Sequence, residues 1–254
     1  MRLGAMRKLL WLFFLFCLIV LATALTFVSG SSVSAGSNYT VQLPSMSQTA
    51  GYQVIISGSF CANSSCNSAT TGVTPSITDT AGGNTYTQIS RIEGSTSLAA
   101  AAVVNFCGTV NATGGNQITW TNSPNTTQYL DVAAFEISGG ASCASILDQI
   151  GTGQTNTATS SPYTVSTSGT TTQANELAYT VITSAGTITG YPSGWTGIQN
   201  SYNNNAYQAV PSSGTTVSAG WPFSGTLTGT TVVVLTLKPA SSSATTPPIF
   251  VIQP

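Results

Sequence analysis

Gly114-Gly115-Asn116-Gln117-Ile118-Thr119-Trp120-Thr121 opens with residues that accept the positive φ of tight turns. It continues as a strict alternation, with Ile118 and Trp120 on one side and Gln117, Thr119 and Thr121 on the other. A period of two marks a strand with one buried face, so Trp120 is expected in a core. Similar segments recur along the chain, and strands are expected over 39–43, 52–60, 76–79, 85–92, 98–110, 117–121, 129–137, 176–183, 194–200, 206–210, 215–221 and 230–238. Gly82-Gly83-Asn84 repeats the turn chemistry of Gly114-Gly115-Asn116, and two hairpins of one sheet account for both. No stretch of this part carries the 3.6-residue period of an amphipathic helix. Many short strands with frequent turns predict an all-β chain, a two-sheet antiparallel β-sandwich of jelly-roll type.

The N-terminal end is built differently. Arg2, Arg7 and Lys8 precede an uncharged, mostly apolar run over residues 9–28, the pattern of an export signal helix. Val33-Ser34-Ala35 supplies small residues for cleavage ahead of Gly36, and Ala22-Thr23-Ala24 is a second candidate site. Retention as a signal-anchor is the alternative, because about 20 apolar residues span a bilayer; this segment is the one membrane contact expected. Cys17 lies deep in the apolar run, where a lipoprotein cysteine does not belong. The expected organisation is a signal segment over 1–35, one β-sandwich domain over 36–240 and a Ser/Thr/Pro-rich tail over 241–254. The Thr-, Gly- and Gln-rich stretch 151–172 is expected as a long excursion within that domain, with an edge strand near Tyr163.

Charge is scarce. Beyond residue 35 only Arg91 and Lys238 stand against Asp79, Glu93, Asp131, Glu136, Asp148 and Glu176. With no basic patch to neutralise phosphates, nucleic-acid binding is excluded. Cys61, Cys66, Cys107 and Cys143 form an even set in an exported chain, which favours two disulfides among three connectivities. Cys61 with Cys66 and Cys107 with Cys143 is the pairing expected; a zinc site is disfavoured by the spacing.

The chain contains no histidine, which removes Ser-His-Asp and Cys-His catalysis and histidine metal ligands. Glycoside hydrolysis survives, since it needs only two carboxylates about 5 to 10 Å apart. Asp131 and Glu136, five residues apart on one expected strand, point to opposite faces. Glu136 shares its face with Leu130, Val132 and Ala134, and burial there would raise its pKa; the reading adopted is that this face is partly solvated, or that Glu136 bonds backbone groups near the strand end. Asp79 opens the turn to Asn84, where it caps its own turn. A structural calcium at the same residues is the weaker alternative, and no cofactor is expected.

Sugars offer C–H faces to aromatic rings and hydroxyls to amides. Trp195, Tyr202 and Tyr207 flank Asn203-Asn204-Asn205, with Tyr191 and Trp221 nearby. The candidate binding residues are therefore Trp195, Trp221, Tyr191, Tyr202, Tyr207 and Asn204. The competing expectation for Trp195 and Trp221 is packing at the ends of the sandwich.

The succession Ile77-Thr78-Asp79-Thr80-Ala81-Gly82-Gly83-Asn84-Thr85-Tyr86, then Tyr129-Leu130-Asp131-Val132-Ala133-Ala134-Phe135-Glu136-Ile137-Ser138-Gly139, then Ile146-Leu147-Asp148, then Ser193-Gly194-Trp195-Thr196 resembles a family of uncharacterised jelly-roll domains of secreted bacterial proteins. The resemblance covers roughly residues 37–240. It implies the jelly-roll fold and a secreted or cell-surface setting, and transfers no catalytic residue. The expected role is a non-enzymatic module whose partner is a glycan or cell-surface polymer. A glycan-active hydrolase using a carboxylate pair and a purely structural or adhesive domain are the alternatives.

Overall fold

Ile118 and Trp120 do face a core, but the sheet they cover is hidden on its far side as well. The computed structural model describes residues 24–35, 39–61, 70, 72–94, 101–124, 129–198 and 204–241, and no helix occurs among them. Of the signal segment expected over 1–35, residues 1–23 lie outside the described residues, and 26–35 form a strand and no helix.

Ten strands form the first half: β1 (Thr26–Ala35), β2 (Thr40–Gln42), β3 (Met46–Gln48), β4 (Gln53–Cys61), β5 (Thr74–Asp79), β6 (Tyr86–Ile92), β7 (Ala101–Thr109), β8 (Gly114–Asn116), β9 (Ile118–Ser123) and β10 (Tyr129–Ser138). Nine form the second: β11 (Leu147–Ala158), β12 (Tyr163–Ser166), β13 (Glu176–Thr183), β14 (Thr187–Ile188), β15 (Thr196–Gly197), β16 (Asn205–Val210), β17 (Ser218–Trp221), β18 (Phe223–Ser224) and β19 (Leu227–Leu237). Each half has one five-stranded antiparallel sheet, β1-β10-β4-β7-β6 and β11-β19-β13-β16-β15. Small sheets cover the outer faces: β2-β9-β5 and β3-β8 in the first half, β12-β17 and β14-β18 in the second.

The two halves share part of their wiring. In each large sheet the first strand pairs with the last, and an outer small sheet pairs the second strand with a late one, β2 with β9 in the first half and β12 with β17 in the second. Thr40-Val41 of β2 and Tyr163-Thr164-Val165 of β12 occupy the second-strand positions, and their partner strands carry Trp120 and Trp221. The β-sandwich is thus present twice, and the pair stacks as four layers. Val41, Leu43, Met46 and Trp120 pack on Val54, Ile56, Phe60 and Val132. The opposite face of the same sheet, with Ile55, Val103, Phe135 and Ile137, meets Leu177, Tyr179, Val233 and Leu235. The far face of the second large sheet carries Ala178, Ile182, Val232 and Val234 against Val165, Ala219, Trp221 and Phe223.

A strand covered on both faces loses its alternation. Every residue of β4 and β13 is buried, and all of β19 except Thr228. Close approach of the layers needs small residues: a Cβ on Gly58 would sit 2.4 Å from the Trp120 ring. The same stacking gives buried hydroxyls partners. Trp221 Nε1 donates to Thr180 Oγ1 (3.2 Å), and that hydroxyl donates to the Val233 carbonyl (2.9 Å). Thr231 Oγ1 donates to the Ala101 carbonyl across the central interface (2.8 Å).

Three expectations need correction. The domain does not begin at residue 36, because Thr26–Ala35 is the edge strand β1, paired along β10 from Thr26↔Ser138 to Ala35↔Leu130. Leu25 is buried, its amide donates to the Asn175 carbonyl (3.3 Å), and Phe27 stacks on Tyr207 with ring centroids 4.3 Å apart. The stretch 151–172 is no excursion; it holds most of β11, a 12-residue strand paired along β19, and β12. The two glycine turns are not hairpins of one sheet either: Gly82-Gly83-Asn84 carries the chain from β5 in an outer sheet to β6 in a large one, and Gly114–Asn116 is β8 itself, paired with β3.

A chain beginning at Leu25 is expected to fold like the full protein. One beginning at Gly36 loses β1 and the burial of Leu25 and Phe27, each worth about 1.5–3 kcal/mol when complete. Urea unfolding of the two truncations checks this, with a deficit of at least ~2 kcal/mol expected for the shorter chain.

Candidate functional site

Among the described residues the candidate aromatics do not assemble a platform. Trp221 is 0% exposed, at the centre of the outer core of the second half. Trp195 is 9% exposed, packs into the same core and donates through Nε1 to the Ser218 carbonyl (3.3 Å). Tyr207 lies against the central core, stacked on Phe27. Asn204 uses its carbonyl to accept from the Ile182 amide (3.0 Å), and the neighbouring Asn205 is buried, accepting from the Tyr179 hydroxyl. Tyr202 lies outside the described residues. Tyr191 alone of the described candidates is substantially open, at 40% exposure, its ring edge-on to Trp221 with centroids 6.2 Å apart. Packing, the competing expectation for the two tryptophans, is what the geometry shows.

The disulfide Cys107–Cys143 is present, with Cα atoms 5.3 Å apart, and ties β7 to the connection between the halves. Cys61 is disulfide-bonded as well; its expected partner Cys66 lies outside the described residues.

The acids are spread over the fold, each with local work. Asp79 Oδ1 accepts from the Gly82 amide (2.8 Å), and Oδ2 accepts from Asn84 Nδ2 (2.7 Å) and the Tyr86 hydroxyl. Burial alone would raise its pKa, but these hydrogen bonds outweigh it and hold the carboxyl below the usual range. Both oxygens are thus taken by donors, including the Asn84 amide that a calcium ion would have required to turn its oxygen inward. Glu93 pairs with Arg91 (2.8 Å). Glu136 is fully buried, and its Oε1 accepts from the Thr49 amide (2.5 Å), so it is a structural carboxylate whose pKa burial pushes up. Asp131 lies on the other face of β10 beside Ser34, and burial pushes its pKa up to about 6.

Three charged residues, Asp148, Glu176 and Lys238, come together at the end where β11, β19 and β13 lie side by side. Leu147 pairs with Leu237 and Gln149 with Thr236, which leaves Asp148 as the extra residue of a bulge. A bulge re-aims the side chain it inserts. Its carboxylate lies 3.8 Å from Lys238 Nζ, with the Asp148 side chain 3% and the Lys238 side chain 25% exposed. Thr172 donates to it twice, through the amide (2.7 Å) and the hydroxyl (2.5 Å). Asn175 turns the chain at φ 62° and delivers Glu176, 1% exposed. Glu176 Oε1 accepts from the Gln173 amide (3.0 Å), and Oε2 has no donor. Burial first, and then the facing Asp148 carboxylate, push the Glu176 pKa up to about 7. Asp148 goes the other way: burial opposes its charge, but Thr172, Glu176 and Lys238 together hold it below the usual range. A proton on Glu176 converts two facing acceptors into a hydrogen bond. The two carboxyls are in direct contact, without the gap of about 5 to 10 Å that glycoside hydrolysis uses.

Sequence reasoning did not single out this cluster. Its available signal was scarcity: Lys238 is one of two cations beyond residue 8, in a chain with 4% charged residues. What could not be read is that residues 148, 176 and 238 meet, because that depends on strand order and on the bulge.

Trp221→Ala is expected to cost about 3–5 kcal/mol of stability, as a core deletion does, in a denaturant titration. Asp131 gives a pH dependence with a definite sign. Its folded pKa of about 6 lies above the ordinary 3.8, so its contribution is fully present below 3.8 and is lost as pH rises through about 6. The stability difference between the wild type and Asp131→Asn is expected to move against the wild type over that interval and to be flat above it, measured by urea unfolding across the pH series. No family model matches the chain, and no curated protein and no solved structure matches it.

Proposed function

We propose that this chain is an exported, non-enzymatic structural module of a cell-surface or secreted assembly. The observation that carries the reading is where the ends of the domain lie. Leu25 bonds to Asn175 (3.3 Å), the residue before Glu176. The connection between the halves runs beside Lys238, whose carbonyl accepts from the Ala141 amide (3.0 Å), while the Ala240 amide donates to Gly139 (2.7 Å). The chain therefore enters and leaves the described domain at one end. An export segment on one side and a Ser/Thr/Pro-rich tail on the other suit a body that projects from a single point of attachment. The disulfide is compatible with an oxidising compartment outside the cytoplasm.

Burial of Trp195 and Trp221 favours this role over carbohydrate binding, and a hydroxyl- and amide-rich exterior with few charges suits contact with neutral surface polymers. In each half the first strand lies beside the last in the large sheet, and in the first half the second lies beside the penultimate in an outer sheet, an order that supports the jelly-roll reading of the fold.

The purified exported chain is expected to be silent on a glycan array and to be released from intact cells by surface proteolysis. Reproducible glycan binding that disappears in a folded Tyr191→Ala variant would overturn the structural reading in favour of a lectin-like one. Recovery of the chain only inside unlysed cells would remove the surface assignment altogether.

A further inference from the structure

We propose that Lys238 and Asp148 are joined by an intramolecular amide bond, formed without any cofactor, with Glu176 as the proton carrier. Asp148 and Glu176 stand on β11 and β13, and Lys238 directly follows β19, the strand between them; the amine already lies 3.8 Å from an Asp148 oxygen. Neither partner is loosely placed. Lys238 is fixed by its own backbone, whose amide donates to the Ile146 carbonyl (2.7 Å) and whose carbonyl accepts from Ala141 (3.0 Å). Asp148 is aimed by the bulge and held by both donors of Thr172. Glu176 is the third element: buried, bonded through one oxygen to Gln173, its other oxygen without a donor and the Asp148 carboxyl beside it.

The chemistry balances within these three side chains. The Lys238 ammonium gives up a proton, which the Asp148 carboxylate takes through Glu176, leaving an amine and a neutral acid. The Nζ lone pair then attacks Asp148 Cγ, the N–C bond forms, and the tetrahedral carbon carries two oxygens. Glu176 protonates the departing hydroxyl as the C–O bond breaks and recovers a proton from nitrogen. An ammonium and a carboxylate have become an amide and one water, nothing is oxidised or reduced, and Glu176 ends as it began. Its raised pKa keeps that proton available near neutral pH.

In water such a condensation does not proceed unaided. Here the fold supplies orientation, for which effective molarities of about 10⁵–10⁸ M are reached in well-aligned intramolecular reactions. Burial of the Asp148 and Glu176 side chains keeps bulk water from reversing the step. The bond belongs to the fold and stands apart from the surface role proposed above, so either can fail alone.

The test is the mass of the full exported chain, purified folded, then reduced and denatured. The expected result is a mass lower by one water than the processed sequence requires, with a proteolytic fragment in which the peptide holding residue 148 is joined to the one holding residue 238. Lys238→Arg and Glu176→Gln are expected to restore the unmodified mass. Asp148→Asn is expected to keep the cross-link while losing ammonia in place of water, an outcome that no dehydration elsewhere reproduces. An unmodified mass in wild-type protein that unfolds cooperatively would overturn the proposal, as would a lost water mapped to other residues. A cross-link that forms in Glu176→Gln as it does in the wild type would remove Glu176 from the chemistry. Because the wild-type mass decides the central point, a variant that fails to fold does not shield the proposal.

Discussion

The central interface, where Ile55, Val103, Phe135 and Ile137 of one large sheet meet Leu177, Tyr179, Val233 and Leu235 of the other, is the constraint to which the rest of the molecule conforms. Once the two large sheets are pressed together, and each is capped on its outer face by small sheets, their middle strands have no solvent side. Backbone groups there are satisfied by neighbouring strands, but every side-chain hydroxyl, amide and carboxyl must find a partner or be left at a cost of about 1–3 kcal/mol. That requirement explains the run from Trp221 through Thr180 to the Val233 carbonyl and the bond from the Tyr179 hydroxyl to Asn205. It also explains why a chain so rich in threonine can bury so much of it: a β-branched hydroxyl fits a strand and can reach a neighbouring carbonyl.

The same constraint decides what could be read from the sequence. Trp120 was legible because β9 lies in an outer sheet with one wet face, so Ile118 and Trp120 alternate with half-exposed threonines. The Asp79 turn and the Cys107–Cys143 bridge were legible too, the first because its donors lie within seven residues, the second because few pairings compete. β1 and β11 were not, and the reason is physical. Ser29-Gly30-Ser31-Ser32 and Gly151-Thr152-Gly153-Gln154 have little strand propensity of their own. They are strands because β10 and β19 hold them in register, and their glycines admit close neighbours: a Cβ on Gly30 would meet Ile198 at 2.8 Å, one on Gly151 the Ser166 carbonyl at 2.0 Å. Tryptophans beside asparagines suggested a sugar platform, yet Trp195 and Trp221 pack into the core between the second large sheet and its outer cover, a layer set by strand order and not by local sequence. The repeat of the two halves is a repeat of wiring, carried by scattered matches such as Tyr39-Thr40-Val41 with Tyr163-Thr164-Val165.

Scarcity of charge then takes on a structural meaning. A fold with both faces of its main sheets dry can hold a carboxylate only where donors converge, and each buried acid has such a place: Glu136 at the Thr49 amide, Asp131 at Ser34, Asp148 at Thr172. Glu136 and Glu176 each have a donor on one oxygen and none on the other, and Glu176 differs in having a like charge facing it. A buried charged group with an unfilled requirement tends to neutralise, and here neutralisation has two routes, protonation of Glu176 or conversion of its neighbour into an amide.

Position adds a reason for this group to stand where it does. In both halves the first and last strands are antiparallel neighbours whose outer ends coincide, Thr26 opposite Ser138 and Leu147 opposite Leu237. Tension applied through the chain at such a pair acts on one hydrogen-bonded rung at a time, starting from that end, so the first rung is the weakest point of a sheet that is otherwise deeply buried. In the first half the outer rung is pinned by the docking of Leu25 and Phe27 onto the second half. In the second half Asp148, Lys238 and Glu176 occupy that rung. A link between the side chains of Asp148 and Lys238 would carry load across the mouth of the β11–β19 pair and leave the rungs behind it unstressed.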